Sequence, residues 1–152
     1  MVPIEVPSEV PEFAGDALAR AAAASDAPAV LVVDDDPAGS AASQATLAGG
    51  GYAVRAEAAG DAALLLVRAS LVQLVVSELH VVCAEGPCVV AVIKGDRARL
   101  PRLRVLVHTR HHSPADLAWA LGAGADAVVP KPAPEGVLLR EVGRLLDGTQ
   151  AP

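Results

Sequence analysis

Aromatic side chains are almost absent from this chain: its 152 residues include one Trp, one Tyr and one Phe. That leaves no set of rings on which nucleic-acid bases would stack, and a formal charge of −6 gives no general attraction to a phosphate backbone. Nucleic acid is therefore not an expected partner. Cysteine is equally sparse. Cys83 and Cys88, in "CAEGPC", are too few for a disulfide framework and lack further ligands at metal-site spacing, so they are read as two reduced thiols. No uncharged apolar stretch approaches the roughly 20 residues of a membrane span. The N-terminus, "MVPIEVPSEVPEF", places Glu and Pro where a secretory signal carries Lys or Arg before an apolar run. A cytoplasmic protein with no membrane association is the expectation.

What the chain has in abundance is aliphatic surface. With 53% hydrophobic residues, it can bury one sizeable core, and one domain is expected. Residues 1–27 are rich in Pro, Ala and Glu and read as a flexible leader, with a short helix around Asp16 to Ala24. The β-branched run that begins after Pro28 marks the domain boundary, so residues 28–147 form the domain and 148–152, within "DGTQAP", a short polar tail. From Val30 onward, strand and helix patterns alternate. "VLVV" reads as a strand, followed by a helix from Asp36-Pro37 to Gly49-Gly50-Gly51; then come strand "YAVRAE", helix "DAALLLVRAS" and strand "QLVVS". Later come strand "RVLVHT", helix "SPADLAWALGAG" with Ser113 as its N-cap, strand "DAVVP" and helix "EGVLLREVGRLL". "PCVVAVIKGD" has strand propensity, but lies between two buried strands that must run parallel and so need a crossover; it is read as a helix. Strands alternating with helices, and apolar without polar alternation, predict a parallel sheet covered on both faces.

In such sheets, ligands bind at the carboxyl ends of the strands, where strand order reverses. Asp34-Asp35-Asp36 follow the first strand, Glu78 the third, Thr109 ends the fourth, and Lys131-Pro132 follow the fifth. Carboxylates that converge must be protonated, paired with a cation or bound to metal, and oxygen ligands of this kind suit Mg²⁺. Lys131 adds a cation and Thr109 a hydroxyl, so the set suits a phosphoryl-like anion held between metal, hydroxyl and ammonium. No Gly-rich phosphate loop follows the first strand, which disfavours a nucleotide-type binder on the same sheet.

"VLVVDDDP", an acid after "LVVS", "HT" after a buried strand and "GADAVVPKP" together resemble the receiver domain of bacterial two-component response regulators, over about Ala29 to Leu146. The resemblance implies a flavodoxin-like (CheY-like) fold: a doubly wound, five-stranded parallel sheet of order 2-1-3-4-5 in an α/β/α sandwich. It also implies that Asp34, Asp35 and Glu78 face Mg²⁺ together with the backbone carbonyl of His80. Thr109 would contact a phosphoryl group, Lys131 would pair with the phosphoacceptor, and the Lys131-Pro132 bond would be cis. Receivers are signalling domains rather than enzymes. They meet protein partners through the face made by the fourth helix, fifth strand and fifth helix, here a histidine kinase, an output protein or a second copy of the chain.

The departures from the family set the expected function. The family's phosphoacceptor is Asp, whereas this chain has Glu78, whose extra methylene moves the carboxylate about 1.5 Å outward. The aromatic switch on the fifth strand is replaced by Val128, and the proline after the acceptor loop is absent from "LHVVCAEG". Three readings of Glu78 stand: an imitation of the phosphorylated state, a silent remnant paired with Lys131, and residual Mg²⁺-dependent phosphoacceptance or weak phosphoryl chemistry. The first two make the chain a phosphorylation-independent signalling module that acts through protein contacts; the third makes it a working receiver. Asp34 and Asp35 have a plainer reading as acids near a helix N-terminus, but two acids before Asp36, itself the cap, exceed what capping needs. His108, His111 and His112 are read as solvated residues of the loop after the fourth strand, the alternatives being a pH-sensitive surface or zinc binding with His80. The arginines of "DRARLPRLR" are read as a solvated surface, the alternatives being a contact for an acidic partner or for nucleic acid, against which the net charge speaks, and Trp119 as helix packing or an interface anchor.

Overall fold

The computed structural model describes residues 28–150; the expected leader, with its short helix, lies outside the described residues. The elements are β1 (Ala29–Val33), α1 (Pro37–Gly49), β2 (Ala53–Glu57), α2 (Gly60–Arg68), β3 (Leu74–Ser77), α3 (Val89–Asp96), a 3₁₀ turn (Arg97–Arg99), β4 (Arg104–Thr109), α4 (Pro114–Gly122), β5 (Ala127–Pro130) and α5 (Val137–Gln150). All strand pairs are parallel and the order is β2-β1-β3-β4-β5.

The apolar strand runs are explained by a core on each face. Side chains alternate across a strand, so Leu31 and Val33 of β1 join the cluster under α2, α3 and α4, while Val30 and Val32 join the one under α1 and α5. Every residue of β1 and β3 is buried. "VVAVIKGD" is helical as the topology demands: its strand propensity loses to the need for a crossover, and Val89, Val90 and Ile93 pack into the first cluster.

Local signals fix where the helices begin and end. Asp36 caps α1 by accepting a hydrogen bond from Gly39 N, with Pro37 in the first turn. After α1 the chain turns at Gly51, whose φ of +95° a side chain would resist. Ser113 and Asp116 form a capping box at the start of α4. α5 runs from Val137 to Gln150.

Candidate functional site at the carboxyl ends of the strands

Strand order reverses between β2-β1 and β1-β3, so the crevice at the carboxyl ends opens beside β1 and β3. β1 delivers Asp34 there, β3 Glu78, β4 Thr109 and β5 Lys131. The Lys131 ammonium lies 2.7 Å from Asp34 Oδ2 and 3.3 Å from Glu78 Oε1. With side-chain exposures of 11%, 3% and 13% for Lys131, Asp34 and Glu78, water screens these charges little. Thr109, fully buried, accepts from His111 N at 2.9 Å, and its hydroxyl helps to lower the pKa of the Glu78 carboxyl. The other Glu78 oxygen, Oε2, accepts from Leu79 N at 2.8 Å. The strand itself is tied down by Glu78 N donating to Val33 O at 2.8 Å.

The acids do not act as one cluster. Asp34 Oδ1 accepts from Asp36 N at 2.9 Å while Oδ2 takes Lys131, so both its oxygens are engaged. Asp35 is exposed to solvent, and Asp36 serves as the α1 cap and meets Arg110 at 3.4 Å. Lys131 thus bridges Asp34 and Glu78. Among the described residues no group of three His, Cys, Asp or Glu side chains is placed to hold a metal. Asp34, Asp35, Glu78 and the His80 carbonyl are the groups that would hold Mg²⁺, and Lys131 would compete with it for Asp34 and Glu78.

The electrostatics follow from the contacts. Burial alone would raise the Glu78 pKa; the Thr109 hydroxyl, the Leu79 amide and the Lys131 ammonium outweigh it and hold the carboxyl below the usual range. His108 is not a loop residue. It is the penultimate residue of β4, 8% exposed, with Nδ1 2.8 Å from the Val129 carbonyl across the β4–β5 pair. Burial pushes its pKa down, so the imidazole is neutral at pH 7 and donates from Nδ1. The alternation that sends Val107 and Thr109 to one face sends His108 to the other. There it forms part of the wall of a cleft of about 900 Å³ between α1 and the segment that follows Lys131.

His80, His111 and Trp119 form an exposed rim above the site. The rings of His80 and His111 meet edge to face at 4.8 Å, and His80 lies 6.1 Å from Trp119, which is 47% exposed on α4. His112 is exposed and takes no part in this contact. Val128 is partly buried against the α2–α4 side of the core, and the Lys131-Pro132 bond is cis.

One residue of the site carries no signal in composition or spacing. A side chain at Gly39 would place its Cβ 2.8 Å from Asp34 Oδ2 and 3.2 Å from Lys131 Nζ. The first turn of α1 therefore presses on the ion pair. The only trace in the sequence is a glycine inside an otherwise helical segment.

The pattern characteristic of the response regulator receiver domain matches residues 30–143, well over half of the chain. The chain belongs to this family. No curated protein matches the sequence. Among solved structures, this receiver is similar to a CheY-like receiver domain protein from Methanospirillum hungatei, at 22% identity and TM-score 0.70, covering 82% of this chain and 97% of that one. It is similar to the receiver domain of a signal transduction histidine kinase from Syntrophus aciditrophicus, at 26% identity and TM-score 0.70, covering 83% and 95%. Vibrio cholerae CheY4 is 23% identical at TM-score 0.68, covering 79% and 99%. Receiver domains are signalling modules of two-component systems that work with kinases or output domains, and they typically bind Mg²⁺ at the acidic site. Among the described residues, no helix is long and apolar enough to cross a membrane.

Proposed function

We propose that this receiver signals without being phosphorylated, because Glu78 supplies a permanent carboxylate where the family places its phosphoacceptor. The observation that carries the reading is the double engagement of that carboxylate: the Lys131 ammonium at one oxygen and the Leu79 amide at the other, with the Thr109 hydroxyl helping to hold its pKa down. In the family these two side chains receive the phosphoryl group, and here the longer acid reaches them itself. Thr109 and Lys131 are thereby held as a phosphoryl group would hold them. Lys131 also pairs with Asp34, so a fixed cation already stands between the two buried carboxylates.

The signal passes by protein contact through the face built from α4, β5 and α5. Trp119 and Leu121 support this, being 47% and 55% exposed on α4. The partner is a kinase, an output protein or a second copy of the chain. The domain performs no chemistry of its own.

The test is intact-mass measurement after incubation with Mg²⁺ and a small-molecule phosphodonor. The native chain is expected to gain no phosphoryl group. A stoichiometric gain abolished by Glu78→Gln would instead establish a working phosphoacceptor at this position.

A further inference from the structure

The arginines of "DRARLPRLR" take no part in the site at the carboxyl ends. They lie at the other end of the sheet, where the 3₁₀ turn Arg97–Arg99 and the loop after it lead into the first residues of β4. Two of them are neutralised: Arg97 meets Asp126 at 2.9 Å, and Arg99 meets Asp96 at 2.7 Å, an acid also shared with Arg68. Arg104 reaches only the carbonyls of Pro101 and Leu103. Arg102 is exposed and has no ion-pair partner among the described residues. Between this loop and the connection from α2 to β3 opens a cavity of about 350 Å³, whose walls include Val72, Gln73, Leu100, Arg102 and Leu103. Val72 and Leu103 are buried in its floor. An apolar floor with a cationic rim suits an occupant that is apolar and acidic at once.

The same end of the sheet receives the N-terminal segment. Ala29 N donates to Gln73 Oε1 at 3.0 Å, and Gln73 N to Ala29 O at 2.9 Å, so the chain enters β1 against one wall of the cavity. Residues 1–27 hold five acids against Arg20, a net −4 of the chain's −6. In "IEVPSEVPEF" the acids Glu5, Glu9 and Glu12 are interleaved with Ile4, Val6, Val10 and Phe13, with no basic side chain.

We propose that Ile4–Phe13 docks in this cavity within its own chain, Phe13 over Val72, Leu100 and Leu103, and the glutamates against Arg102. Reach sets no obstacle. The 14 residues between Phe13 and Pro28 extend to about 45 Å, more than the roughly 30 Å across a domain of this size. The tether also raises the effective concentration to about the millimolar range, so a weak contact suffices. The inference does not depend on how Glu78 is read.

Because Phe13 is the only phenylalanine, its ring gives an unambiguous NMR signal in the full chain. At low salt, nuclear Overhauser contacts are expected from that ring to the methyl groups of Leu100 and Leu103. Arg102→Glu should weaken them about twofold or more, and so should Glu5, Glu9 and Glu12 replaced together by Gln; added salt should act in the same direction. Arg102 is exposed and has no ion-pair partner among the described residues, so its replacement leaves the fold in place. A Phe13 ring with the shifts of a free peptide of residues 1–16 and no contact to Leu100 or Leu103 overturns the proposal. So does a ring in contact with another surface, or one that stays free while the cavity binds an added acidic peptide.

Discussion

Glu78, His108 and Gly39 each sit in an environment that makes a specific change informative. The Glu78 carboxyl has its pKa lowered in the folded chain, by contacts that outweigh burial. Its contribution to stability is therefore fully present above the unfolded value of about 4.3 and is lost as pH falls through the lower folded value. Urea denaturation across the acid range should show Glu78→Gln losing less stability than the native chain below about pH 4. His108 is depressed by burial, so the unfolded chain takes up its proton first, near pH 6.5. Stability associated with His108 is full above that value and lost as pH falls through the folded one; His108→Leu should flatten the profile below about pH 6.5. At Gly39, alanine in an open helix would stabilise by up to about 1 kcal/mol. Here the added Cβ would stand 2.8 Å from Asp34 Oδ2, so Gly39→Ala is expected to be less stable than the native chain. A gain in the denaturation midpoint would mean that the Asp34–Lys131 pair gives way freely.

At the scale of elements, the sequence was most legible where a local rule and the topology agree. Asp36-Pro37 and Ser113-Pro114 marked helix starts because capping chemistry is local, and both caps stand where the residues placed them. Ser113→Ala, which leaves the site untouched, should cost about 1 kcal/mol by denaturant titration. α3 was legible only through topology: "VVAVIKG" alone favours a strand, and the parallel neighbours decided it. Two things were not legible for physical reasons. His108 looked like a member of a histidine-rich loop because strand ends are blurred in sequence, and its burial depends on β5 supplying the Val129 carbonyl. The three consecutive acids gave no hint that Asp34 alone turns to Lys131 while Asp35 faces water, since that division is set by side-chain direction after the strand.

At the scale of the whole molecule, the buried sheet brings Asp34, Glu78, Thr109 and Lys131 together, while the rim of His80, His111 and Trp119 reports on the loop that follows β3. The central claim is that Glu78 fills a pocket that is otherwise intact. The measurement that tests it most directly is the fluorescence of Trp119, the single tryptophan, during titration with Mg²⁺ and beryllofluoride, on the native chain and on Glu78→Asp. The account predicts no response from the native chain and a saturable change in Glu78→Asp, whose shorter acid frees Thr109 and Lys131 for the added anion. A saturable response from the native chain, of the size seen in Glu78→Asp, would contradict it.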